Sequence, residues 1–326
     1  MSQPLSAARK ASYLLFVLAL IVVAHFRLGP CLLAGLVSYM MMDLTERRLR
    51  STGVRQRFAR LAALAVFATL STFLAWVLIT FVRLTVVRFP VLVDMVLPRL
   101  TELSLKFGFE FPVDNALEMR EFLVSSAKEN FSSISKTSGL FTRAVFQVLV
   151  GMFAAAIRFL TPREEDGSSN LFEVLAAEFS ARVRLFVRSF ERVVGAQVSI
   201  STVNTVLTAI FLYGMGFPFK TFLILTAFVC GMIPIVGNVL SNIAIVTAGL
   251  TISVQLATVA LIYLVVIHKL EYFLNSRIIG GSIDTPMWMT LLGLVVGEAL
   301  MGVPGVLLAP ALLHYAREEL RAIPAE

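Results

Sequence analysis

Gly231-Met232-Ile233-Pro234-Ile235-Val236-Gly237-Asn238 cuts through an apolar run that would otherwise read as an ordinary membrane helix. Proline removes a backbone N–H and glycine tolerates positive φ. The stretch therefore predicts a helix break that strips the carbonyls at 230–232 of their usual partners. From Val198 to Pro310 the chain is almost unbroken hydrocarbon, and a second interruption, Gly302-Val303-Pro304-Gly305, follows shortly after the carboxylate of Glu298. In lipid such breaks survive only where protein or a polar cavity satisfies the freed groups. Interrupted helices near the bilayer midplane are the usual build of transport sites. These stretches predict an all-α polytopic membrane protein with broken or re-entrant helices.

Composition agrees. The chain has 326 residues, 58% hydrophobic and 15% charged, with a mean hydropathy of +0.85, which excludes an ordinary soluble domain. The first apolar stretch runs from Ala11 into the next without a small-residue cleavage site, so it reads as a retained span. Cys31 and Cys230 both lie in apolar sequence and read as two reduced thiols. A net charge of +7 would suggest nucleic acid in a soluble protein; here basic loops explain it, and no nucleic-acid partner is expected.

About eight membrane segments can be drawn, at 11–27, 30–42, 58–82, 140–160, 198–217, 219–236, 239–266 and 286–315. The corresponding layout is an N-terminal hairpin and third span over 1–83, an extracytoplasmic helical insertion over 84–139, and a fourth span over 140–161. A cytoplasmic amphipathic helix over 162–197 and a C-terminal transport region over 198–326 complete it. In 162–197, Phe172, Leu175, Phe179, Val183, Phe186 and Phe190 recur at helical spacing among arginines. That face suits the membrane surface or a subunit groove, or packing within its own bundle. Positive charge sets the orientation. With the N-terminus inside, basic residues such as Arg47, Arg48, Arg50, Arg55, Arg57 and Arg60 collect in inner loops, while 84–139 is near neutral. Both termini are then cytoplasmic.

Several polar residues stand out against this background. Asn238 and Asn242, one turn apart beside the first break, are candidates to line a path for an ion or polar solute; a tight turn between helices explains the break equally well. A carboxylate in mid-membrane is costly, so Glu298 reads either as a proton carrier or as a structural hydrogen-bonding group. His268, Lys269 and Glu271 end the seventh segment. The spacing of two places Lys269 and Glu271 on different faces, and His268 reads as an interfacial anchor. Asn204 sits in an unusually polar stretch in which Ser201, Thr205 and Thr208 share a face, as in a cavity wall or a set of interhelical hydrogen bonds. Gly293-Leu-Val-Val-Gly297 would admit a second helix at close range. Motifs for metalloprotease, serine-hydrolase or nucleotide chemistry are absent from the sequence, and neither enzymatic activity nor a cofactor is expected.

In order along the chain, Gly195-Ala-Gln197, Tyr213-Gly-Met-Gly-Phe-Pro218, the 231–237 break, Lys269-Leu-Glu271, Asn275-Ser-Arg-Ile-Ile-Gly280, Pro286 and Leu300-Met-Gly-Val-Pro-Gly305-Val-Leu-Leu-Ala-Pro310 resemble the autoinducer-2 exporter (AI-2E) family of bacterial membrane transporters. The basic loop Glu46-Arg-Arg-Leu-Arg-Ser-Thr-Gly-Val-Arg55 is similar to that family's early loop. The resemblance implies an inner-membrane secondary transporter. Its cargo would be a small polar signalling molecule, or a monovalent cation exchanged for a proton. It also implies a homo-oligomer, with a pentamer as the candidate stoichiometry. The chain departs from the family pattern at Asn238 and Asp43, where proline is usual, at Lys269, where glutamine is common, and at Glu298, where small or apolar residues are common. The candidate pathway residues are Pro234, Gly237, Asn238, Asn242, Lys269, Glu271, Glu298 and Asn204.

Overall fold

A computed structural model describes residues 7–108, 121, 125, 138–161, 170–233, 236–278 and 286–323. Among them every regular element is helical: α1 (Ala7–His25), α2 (Gly29–Ser51), α3 (Gln56–Phe107), α4 (Ser138–Leu160), α5 (Leu171–Gly214), α6 (Lys220–Gly231), α7 (Val236–Leu250), α8 (Val254–Ile278), α9 (Met287–Met301) and α10 (Val303–Arg321). Five stretches are long and apolar enough to cross a bilayer: Ala7–His25, Gln56–Leu103, Thr142–Leu160, Leu171–Gly214 and Val254–Glu271. Three shorter apolar stretches, Lys220–Gly231, Gly237–Leu250 and Trp288–Met301, accompany them. At 1.5 Å per residue a 15-residue helix is about 22 Å long, short of a ~30 Å hydrocarbon core. Large apolar side chains such as Leu14, Phe73, Trp76, Phe146, Phe153 and Val265 remain exposed, as helices facing lipid require.

The helix boundaries differ from the sequence expectation in three places. α3 carries straight through position 83, where the outer insertion was drawn to begin; Pro90 and Pro98 lie inside it, and it stops at Gly108 with φ +69°. The rest of that insertion, apart from 121, 125, 138 and 139, lies outside the described residues. α5 likewise continues through 197, so the amphipathic helix and the fifth segment are one helix of 44 residues. Its start is fixed by Asn170, whose Oδ1 accepts the Glu173 amide at 3.0 Å while its own amide donates to Glu173 Oε1 at 3.1 Å. The segment drawn at 239–266 is instead two helices, α7 and α8, and Ser253 Oγ caps the second by accepting the Leu256 amide at 3.1 Å. The last segment splits at Gly302 into α9 and α10, at the interruption the sequence predicts.

The chain forms two compact units, and α3 and α5 contribute to both. Unit one comprises residues 1–71, 142–196 and 281–326. Its core packs Phe16 of α1, Leu36 of α2, Phe186 and Phe190 of α5, and Leu308, Ala311 and Tyr315 of α10. The phenylalanine face of α5 thus packs, at Phe179, Phe186 and Phe190, against its own bundle. Beside this core, Glu319 accepts a hydrogen bond from the Tyr13 hydroxyl at 2.6 Å and pairs with Arg182 at 3.1 Å. Arg182 also pairs with Glu178 at 2.8 Å and lies over the Tyr13 ring. Two opposite charges with further hydrogen bonds make that buried cluster tolerable.

α9 and α10 fold back on each other about Gly302, whose φ of +65° with ψ of −145° is open essentially to glycine alone. The hairpin closes on Gly297 and Gly305, each of whose α-carbons sits against the other's carbonyl with no room for a Cβ. The Gly293-x-x-x-Gly297 step therefore serves an intrachain approach: Gly293 lies under Leu313 and Gly297 against Gly305.

Unit two comprises residues 72–141 and 197–280. Its core gathers Leu92 of α3, Leu212 of α5, Phe222 and Leu223 of α6, Ile245 and Ala248 of α7, and Ala260 and Leu264 of α8, closed by Phe217. Residues from the start of α6 meet residues from the end of α7, so these two short helices are antiparallel. The break between them therefore sits at the far end of the hairpin from this core.

Candidate functional site

At that end, polar groups from three helices, α5, α7 and α8, converge on Glu271. Asn238 of α7 donates its side-chain amide to Glu271 Oε1 at 3.0 Å and Oε2 at 3.1 Å. Asn204 of α5 donates to Oε2 at 3.2 Å. His268, one turn earlier on α8, places Nδ1 at 3.4 Å from the same oxygen. The Asn242 amide lies 2.6 Å from His268 Nε2. A neutral imidazole with its proton on Nδ1 satisfies both contacts at once, donating to Glu271 and accepting from Asn242. An imidazolium would instead require the Asn242 carbonyl to turn inward. The Glu271 side chain is 15% exposed. Its partners among the described residues are two amides and an imidazole, in place of a lysine or arginine.

These groups surround a cavity of about 20 Å³, lined also by Thr208, Gly231 and Ser241 and, on its apolar side, by Ala227, Ile245, Leu264 and Ile267. About 10–15 Å³ suffices for one water, so the space suits water or a small bare cation. Asn204 Oδ1 is buried with no protein partner among the described residues and remains available as an acceptor beside the carboxylate.

The helix break supplies the shape. Gly237 packs directly on the Cys230 carbonyl, leaving no room for a Cβ. Close approach explains this glycine; it is not among the positive-φ residues. The carbonyls freed at the end of α6 are capped by α5: Gln197 Nε2 donates to Gly231 O at 2.8 Å, and Ser201 Oγ to Phe228 O at 3.0 Å. Of the carbonyls at 230–232 that the sequence predicts to be stripped of partners, Gly231 O is thus taken by a side chain of α5, and Cys230 O accepts the Ile233 amide at 2.8 Å. Of the polar face expected on α5, Ser201 and Thr208 make interhelical contacts, the latter with Tyr263 at 3.3 Å, while Asn204 and Thr208 also line the cavity.

The structure therefore brings together Asn204, Gly237, Asn238, Asn242 and Glu271. Lys269 is exposed on α8. Glu298 is exposed on α9 and belongs to unit one. Pro234 lies outside the described residues. His268, read from sequence as an anchor, belongs to the cluster, and so do Ser241 and Thr208. Helical spacing held the signal: Asn204/Thr208, Asn238/Asn242 and His268/Glu271 are each one turn apart on one face.

Five helices long and apolar enough to cross a bilayer define a multi-pass membrane protein. The sequence profile of the AI-2E family transporters matches residues 11–325, and the chain belongs to that family. It is also 32% identical over 125 residues to the "Putative transport protein YdbI" of Bacillus subtilis (strain 168), a match spanning 38% of this chain and 36% of that protein.

Proposed function

We propose that the chain is a secondary transporter of the bacterial inner membrane, with both termini cytoplasmic, that exchanges a monovalent cation for a proton at Glu271. Export of a small polar solute related to autoinducer-2 is the other cargo the family suggests; a cavity of about 20 Å³ at Glu271 favours the smaller cargo. The observation that carries the reading is the carboxylate held by Asn204, Asn238 and His268 beside about 20 Å³ of free space. A carboxylate held by amides and an imidazole can trade a proton for a small cation without first breaking an ion pair to lysine or arginine. Asn204 Oδ1 is placed to serve as a second oxygen ligand. An intramembrane ionisable residue facing a cavity is by default a functional group. Assembly as a homo-oligomer, with a pentamer as the candidate, belongs to the same reading. Flux into proteoliposomes with and without an imposed pH gradient tests it. Gradient-dependent cation movement supports exchange, gradient-independent flux makes the protein a channel, and absence of flux makes it a scaffold.

A further inference from the structure

We propose that unit one carries both halves of a head-to-tail contact between copies of this chain, in which Glu298 of α9 in one copy meets Arg192 of α5 in the next. The inference rests on the homo-oligomer proposed above and says which faces build it. Glu298 is exposed on the short apolar helix α9, alongside Leu291 and Val295, which are exposed too. Its carboxylate has no partner among the described residues. A carboxylate on such a face is costly in a membrane unless a cavity or a partner receives it.

The complementary charge lies on α5. Arg184, Arg188 and Arg192 recur every four residues along one face, all three exposed and, among the described residues, without an acid. Acids of the same helix are engaged elsewhere: Glu191 holds Arg47 at 2.8 Å and Glu178 holds Arg182 at 2.8 Å. The stripe does not stand in a loop. Phe186 meets Phe16, the middle residue of the candidate span α1, edge to face at 5.9 Å. Arginines at that depth face a partner or a polar cavity rather than lipid.

Within one copy α10 keeps the two charges apart. Its Gly305, Ala309 and Leu313 lie against Gly297 and Gly293 of α9, whereas its Leu308, Ala311 and Tyr315 pack with Phe186 and Phe190 of α5. Opposite charges on opposite sides of one helix meet only when a second copy sets its α9 against the first copy's α5. Such a contact joins two different faces, and repeating it generates a ring where the rotation closes. Depth selects Arg192. α5 and α10 are antiparallel, Arg182 pairing with Glu319 and Ser189 with His314. Counted from Ser189 and His314 at 1.5 Å per residue, Gly305 lies about 9 Å beyond Arg192 along the helices, and Arg188 and Arg184 are farther still.

Native mass spectrometry of the full chain in detergent, over a dilution series, reads the assembly. E298Q and R192Q should each weaken it about tenfold, as loss of one member of a desolvated charge pair between proteins does. The swapped pair E298R/R192E should recover it. Cross-linking covers variants that do not fold. In a C31S/C230S background, chains with E298C co-expressed with chains with R192C should form covalent dimers through a short bifunctional thiol reagent. E298C with R57C, near the start of α3, should not. A wild type that is monomeric would overturn the assembly itself. An oligomer that withstands E298Q and R192Q, or E298C that joins R57C as readily as R192C, would overturn this interface and leave the assembly standing.

Discussion

Asn238 on α7 gives its side-chain amide to both carboxylate oxygens of Glu271 on α8, at 3.0 and 3.1 Å. The position resembles one where the family pattern places proline, a residue with no side-chain donor. In this chain the helix break thus carries a polar contact to the carboxylate in addition to its turn. Changing Asn238 to Leu should leave the carboxylate with Asn204 and His268 alone. Hydrogen bonds to charged groups contribute roughly 1.5–3 kcal/mol, so a lowered melting temperature in detergent and reduced flux are expected together. Unchanged flux with an unchanged melt would remove Asn238 from the site.

Gln197→Leu tests how the break is held. The variant leaves the Gly231 carbonyl, now bonded at 2.8 Å, without its side-chain donor. An unsatisfied buried acceptor costs about 1–3 kcal/mol. Thermal unfolding of the purified protein should fall accordingly, and a melt equal to wild type would show that water replaces the amide at no cost.

Two glycines separate close approach from helix propensity. Gly237→Ala drives a methyl into the Cys230 carbonyl, and overpacking of this kind costs about 1–3 kcal/mol or more. At Gly195, inside α5, an added Cβ meets nothing within 4 Å. Gly195→Ala should therefore be neutral or raise stability by roughly 0.5–1 kcal/mol. Paired melting curves decide it; similar shifts in both would mean that α7 yields freely.

Gly302→Ala isolates backbone strain, since a Cβ there finds open space but φ is +65° and ψ is −145°. Holding alanine in that region costs on the order of 1–3 kcal/mol. The expected result is a lower melting temperature with loosened α9–α10 packing, read by faster hydrogen exchange around Gly297 and Gly305. Unaltered exchange would show that the hairpin does not depend on this turn.

The breaks at 231–237 and 302–305 were legible because proline and glycine interrupt hydrocarbon, and the first led to Asn238 and Asn242, whereas Glu271 stood out only as a charge ending the seventh segment. Continuity of α3 and α5 was not legible. A helix leaving the membrane changes the polarity of its faces without breaking its hydrogen bonds, so the composition shifts near 84 and 198 resembled boundaries. The opposite failure occurred at Thr251-Ile252-Ser253, where hydropathy stays high and only the Ser253 cap marks the new helix. His268 was passed over because a lone histidine at a span end has an ordinary explanation. Its role emerges only when Asn242 from another helix is placed 2.6 Å away. Gly237 was noticed for the wrong reason: the Cys230 carbonyl, which is not a sequence feature, is what demands it.

The most direct measurement is cation flux driven by a pH gradient in proteoliposomes containing wild type, Glu271→Gln or Glu271→Asp. Glutamine keeps the shape but cannot release a proton, whereas aspartate keeps the charge at shorter reach. If Glu271 is the exchanging group, Glu271→Gln should lose gradient-driven flux while remaining folded by its melting curve, and Glu271→Asp should retain gradient dependence at reduced rate. Full gradient-driven flux in a well-folded Glu271→Gln protein would contradict the account.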